Sequence, residues 1–154
     1  MSRRDPINPT TDDARLLAKD ILANTRFGAI AVNLPDGRPY VARVAILADQ
    51  GSLLTLISTL STHTSALKAN RACAILIGEP GRKGDPLTHP RMTLICQAKQ
   101  VDKSVHRNIW LGGIPKAKLY YDFTDFELIR LIPSEIHLNG GFGKAFRLSP
   151  EDLT

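Results

Sequence analysis

Cysteine is nearly absent: Cys73 and Cys96 are the two in 154 residues. Two thiols, each inside an apolar run, cannot build a disulfide framework. They read as reduced, packed side chains, which fits a reducing cytoplasm. Long apolar runs are missing too, since none approaches the roughly 20 residues of a membrane helix. No apolar stretch follows Met1-Ser2-Arg3-Arg4-Asp5-Pro6, so a secretory signal is not expected. What is present is ordinary for a globular domain, with 43% hydrophobic and 23% charged residues. That mixture excludes a coiled coil, a collagen-like chain and a largely disordered one. A net charge of +5 favours anionic partners in general. Lys and Arg are scattered, with no basic run among aromatics, so nucleic-acid binding has little support.

Residues 1–10 are polar, carry Pro6 and Pro9, and read as a mobile arm before a single domain, residues 11–154. Thr10 and Asp13 resemble a capping box, and Leu16, Leu17, Ile21 and Leu22 recur at helical spacing, predicting a helix over 12–24. Strands are expected over 27–34, 40–48 and 53–58, with turns at Pro35-Asp36-Gly37 and Asp49-Gln50-Gly51. A short helix follows over 66–70, and then strands over 72–77 and 91–98. Residues 78–90, with three glycines and three prolines, read as a mobile loop. Helical patterning returns near 102–111 and extends less regularly to 121. Strands over 126–132 and 136–138 complete the chain. The expected fold class is β-rich α+β: a small antiparallel barrel of six or seven short strands with a few short helices.

Three features carry candidate chemistry. Arg43 is the one charge in Tyr40–Ala48, on a strand face shared with Val41, Ala45 and Leu47. A guanidinium on a buried face needs an anion. Ser58 to Ser65 holds six hydroxyl side chains in eight residues, just before a helix whose first N–H groups suit a phosphate. His63 adds a proton donor there; any one of Ser61 or Thr62 would also serve as a plain cap. Gly140-Gly141-Phe142-Gly143 offers close backbone approach to a flat ligand, or a tight turn. No dinucleotide fingerprint, P-loop, serine elbow, C-x-x-C or metal-ligand spacing is present, so no catalytic residue and no metal ligand is assigned.

The order of strand with Arg43, meander, Ser58…Ser61-Thr62-His63-Thr64, short helix ending Lys68-Ala69-Asn70-Arg71, then strand resembles the FMN-binding split-barrel superfamily of pyridoxamine 5′-phosphate oxidase. Gly84-Asp85-Pro86-Leu87-Thr88-His89-Pro90-Arg91-Met92 is similar to its HugZ-like haem-utilisation branch. So are Tyr121-Asp122-Phe123-Thr124-Asp125-Phe126 and Ile136 to Ala145. The resemblance spans roughly residues 14–148. It implies an antiparallel split barrel, a homodimer, and FMN at the subunit interface serving a flavin-dependent oxidoreductase. Phosphate contacts then fall on Arg43, Ser58, Thr59, Ser61, His63 and Thr64. Arg91 and Met92 run beside the flavin ring, and Gly141 and Phe142 approach it. A haem-binding protein on the same fold, with His63, His89 or His137 as iron ligand, is the alternative.

Overall fold

A computed structural model describes residues 5–154. After strand β1 (Ile7–Asn8), helix α1 (Asp12–Asn24) begins where the Thr11 side chain accepts a hydrogen bond from Ala14 N. The cap is therefore Thr11 rather than Thr10. The helix buries Ala14, Ala18 and Leu22 against the sheet. Strands β2 (Phe27–Asn33) and β3 (Pro39–Ala45) form the expected hairpin. β4 (Leu47–Asp49) and β5 (Ser52–Ser58) form a second one. Its turn residues Gln50 and Gly51 both have positive φ, 52° and 74°, as a two-residue turn matched to strand twist requires. Helix α2 (Thr62–Ala69) leads to β6 (Ala72–Ile77), and β7 (Arg91–Gln100) follows the loop. Helix α3 (Arg107–Gly113) and a 3-10 turn, Pro115–Leu119, precede β8 (Phe126–Asn139) and β9 (Ala145–Leu148).

The nine strands form one sheet in the order β1-β9-β8-β7-β6-β2-β3, with β5 on the free edge of the first half of β8 and β4 on β5. Every pair is antiparallel except β1 with β9. The fold is α+β with a dominant sheet, as expected, but nine strands replace six or seven. Residues 126–132 and 136–138 belong to one 14-residue strand. Ser134 is the extra residue of a bulge there: Cys96 pairs with Pro133 and Ile95 with Glu135. β3 and β5 are not joined by a ladder; Thr55 Oγ1 reaches Ala45 O at 2.7 Å instead. The sheet thus curls without closing.

The expected mobile arm starts at residues 1–4, outside the described residues. The rest of it is tied down. Ile7 and Asn8 pair with Ala145 and Phe146, and Thr10 Oγ1 donates to Arg147 O. The loop 78–90 is likewise ordered by its own hydrogen bonds. Gly81 N donates to His89 Nδ1 at 2.9 Å, and His89 Nε2 lies 2.7 Å from Lys83 O.

One core fills the curled sheet, around Ile30, Ile75, Leu94 and Leu131. A second lies outside β5 and β8, where Trp110 and Tyr121 cover Leu54, Leu56 and Leu128. β5 is buried on both faces, which is why Leu53–Ile57 does not alternate; its one polar residue, Thr55, is satisfied by Ala45 O.

Candidate functional site

Strand register collects the chemistry onto the outer face of the sheet. Arg43 faces Ala29, Ala29 faces Leu76, Leu76 faces Thr93, Thr93 faces His137, and His137 faces Arg147. The neighbouring row runs from Val41 through Ala31, Ala74 and Ile95 to Glu135. Since cross-strand partners share a face, these side chains all point away from the core. The centre of the face is built of small alanines, and the side chains around them are apolar: Val41 is 63% exposed and Leu76 46%.

Arg43 lies on this face rather than among core residues. It is exposed, and it stacks over Phe27 with its guanidinium carbon 5.8 Å from the ring centroid. Arg15, Arg38, Arg107, Arg130 and Arg147 each pair with a carboxylate, but Arg43 pairs with none among the described residues. A cleft of about 290 Å³ beside it is lined by Phe27, Gly28, Ala29 and Leu76 to Pro80. Gly28 is required: a Cβ there would sit 2.7 Å from Leu76 O.

The hydroxyl-rich segment is divided. Thr64 is 1% exposed and its hydroxyl donates to Ser58 O at 2.5 Å. It therefore serves the turn and is not available to a ligand. Ser58 Oγ accepts from Leu60 N, and Thr59 N donates to Asp125 O. The Ser61 side chain caps nothing in α2. His63 is partly buried, and burial holds its imidazole below the ordinary pKa. Helix α2 packs against β2 and β3 through Ala66 and Leu67 on the core side, the face of those strands opposite Arg43.

Of the remaining expected residues, Met92 is 0% exposed and part of the core, so only its backbone can meet a ligand. Arg91, Gly141 and Phe142 line one cavity of about 590 Å³ together with Asp5, Asn8 and Leu87. Arg43 and the 58–64 segment do not line it. Gly141 has φ +123°, and a Cβ would sit 3.1 Å from Thr88 O. The glycine turn thereby meets the 78–90 loop.

The other histidines are engaged. His106 Nδ1 contacts Asp102 O at 2.8 Å and its Nε2 contacts Arg130 at 3.1 Å. His137 Nε2 lies 3.0 Å from Glu135. Both ring nitrogens of His89 hold the loop, as described above. Among the described residues His63 alone has neither ring nitrogen in a hydrogen bond or ion pair. The sequence marked this histidine for phosphate, and its free lone pair became visible only in the fold.

No family model matches the chain. Over 120 residues it is 33% identical to the chloroplastic heme oxygenase HOZ of Arabidopsis thaliana, matching 75% of this chain and 36% of that one. Over 126 residues it is 26% identical to heme oxygenase HutZ of Vibrio cholerae, covering 76% of this chain and 70% of that one. The structure of a heme binding protein from Mycobacterium smegmatis superposes with TM-score 0.85 at 25% identity, covering 96% of this chain and 61% of that one. A Clostridium acetobutylicum protein of the pyridoxinephosphate oxidase family shares the fold at 12% identity, with TM-score 0.74 over 94% of this chain and all of its own. The chain belongs to the pyridoxamine 5′-phosphate oxidase-like split-barrel superfamily, in its HugZ-like branch. This split barrel spans about a third of the Arabidopsis relative. No helix among its described residues is long and apolar enough to cross a membrane.

Proposed function

We propose that this HugZ-like split barrel is a haem-handling protein. Its ring would lie on the outer face of β2, β3, β6 and β7, under a second copy of the chain. The observation that carries the reading is the face itself: an alanine-centred apolar surface beside an arginine that has no carboxylate among the described residues. Haem is a flat apolar ring with two carboxylates and an iron that takes a neutral nitrogen, and the residues present fit it. Ala29, Ala31 and Ala74 leave room for a ring and Arg43 binds a carboxylate; His63, the uncommitted histidine, stands on α2 and does not line the Arg43 cleft, so its part as an iron ligand is the portion of the reading that the His63→Ala variant tests. Haem, when bound, supplies the redox-active iron. The chain orients the ring, and the second copy excludes water from it. The haem-related names of the relatives support the same choice.

Titrating haem into the purified protein tests this. A saturable Soret band is expected, with its position changed in His63→Ala and its affinity weakened roughly tenfold in Arg43→Ala. Absence of a Soret band would overturn the reading.

A second reading is FMN held as a flavoprotein cofactor, which serves an oxidoreductase. It is favoured by the same unpaired Arg43 and by Ser61, whose hydroxyl is uncommitted at the start of α2. Flavin absorption in freshly purified protein, lost in Arg43→Ala, would select it over haem.

A further inference from the structure

Away from the outer face, the mouth of the curled sheet between α2 and strands β5, β7 and β8 holds a cavity of about 310 Å³. Ile57, Leu67, Ala98 and Ile129 form its walls, each at most 6% exposed. Lys68 and Arg71 stand at its rim. The two cations are not equivalent. Lys68 Nζ is committed to Glu127 Oε1 at 2.9 Å. Arg71 holds the sheet only through its carbonyl, which accepts from Ala98 N at 2.8 Å. Its guanidinium makes no ion pair among the described residues. With Lys68 offset by Glu127, the rim keeps one uncompensated positive charge over an interior that is apolar on the side of Leu67 and Ile129 and polar at Thr64 and Gln100.

We propose that this cavity binds a small amphiphilic carboxylate: the hydrocarbon chain lies between Leu67 and Ile129, and the carboxylate sits on the Arg71 fork. The physical logic is that of a concave apolar site oriented by one charged group. A guanidinium gives a carboxylate two parallel hydrogen bonds, which neither an alcohol nor an amine can accept in the same way. The site is separate from the proposed haem face, so its occupancy does not depend on that reading.

Octanoate is the probe, titrated into the full chain by calorimetry beside octanol and octylamine. One saturable octanoate site is expected, with both other compounds weaker. Arg71→Gln, a change at an exposed position, is expected to weaken octanoate about tenfold while Arg71→Lys restores part of it. The haem Soret band or flavin spectrum of Arg71→Gln should match the parent. Failure of the haem reading would leave the octanoate result intact. Unsaturable octanoate uptake, octanol binding equal to octanoate, or unchanged affinity in Arg71→Gln would each overturn the proposal.

Discussion

Cys73 and Cys96 face each other across β6 and β7. Arg71 and Ala98, two residues along in the same register, exchange the hydrogen bond from Ala98 N to Arg71 O. Alternation then makes the two cysteines a hydrogen-bonded pair as well, with Cα atoms about 5.5 Å apart and Cβ atoms near the wide end of cross-strand spacing. A disulfide needs Cβ atoms at roughly 3.5–4.5 Å, so the pair is poorly placed to oxidise. Burial pushes the Cys73 thiol up to about 11 and raises Cys96 further. Neither thiol is expected to react with dithiobisnitrobenzoate at pH 8 in the native protein, while denaturant should release two equivalents. Rapid native reaction would show that β6 and β7 open readily. The packing of both was legible in the sequence, because each sits in an apolar run. Arg43 shows where that legibility stops. Alternation identifies which residues share a face, and Val41, Arg43 and Ala45 do. It does not identify which face the rest of the molecule covers. Met92 is the same case on the other side: alternation groups it with Leu94 and Cys96 on one face, and only the fold shows that this face is the core.

At the scale of elements, the chain's last turn, Pro150–Leu153, fastens onto α1. Arg15 Nε donates to Asp152 Oδ1 at 2.7 Å, and Asp152 Oδ2 receives Ser149 N in a capping box. The Arg15 guanidinium first, and the Ser149 backbone N–H second, hold the Asp152 carboxyl below its ordinary 3.8. A carboxyl that titrates lower when folded adds stability above its unfolded value and loses it as pH falls through the folded one. Asp152→Asn is therefore expected to lower the melting temperature at pH 7, with the gap closing below pH 3.8. A gap that persists unchanged in acid would mean that Asp152 acts without its charge, and no gap at pH 7 would mean that the turn is held by Leu153 alone. The helix over 12–24 and the two meander hairpins were readable because period and turn chemistry agree there. The two-residue β1 and four-residue β9 were not, since so short a segment carries no period. Pro133 was misleading in another way. It reads as a strand break because it lacks an N–H, yet it sits at the bulge of β8, where a missing donor is tolerated. Residues 102–106, expected as helix, form a turn around Asp102, whose carboxylate takes Ser104 N and Oγ.

For the whole molecule, the exposed apolar face sets the expected assembly. Leu76, Ile95 and Val41 project from it, 46%, 37% and 63% exposed. Patches of this kind mark interfaces. Light scattering should give a dimer for the parent chain and a monomer for Leu76→Asp, with the fold preserved because the side chain lies outside the core. A monomeric parent would remove the covering half of the proposed haem seat. The dimer was expected from family likeness; the patch that supports it emerges only when β2, β3, β6 and β7 are in register, because each of these four strands contributes one or two apolar side chains too sparse to notice alone.

Ser134 carries a larger consequence than its size suggests. Side chains alternate with a period of two, so a regular strand that carried this extra residue would turn Ile136 and Leu138 out into water and His137 into the hydrocarbon interior. Standing as the second of two residues against one, Ser134 is absorbed by the bulge, and Leu131, Pro133, Ile136 and Leu138 all face inward across it. Excising Ser134 would leave Glu135 opposite Ile95 and Ile136 opposite Leu94, at the cost of the local bend alone. A one-residue deletion here is therefore expected to do less harm than one at Leu128, which would set one half of the strand out of phase with the other.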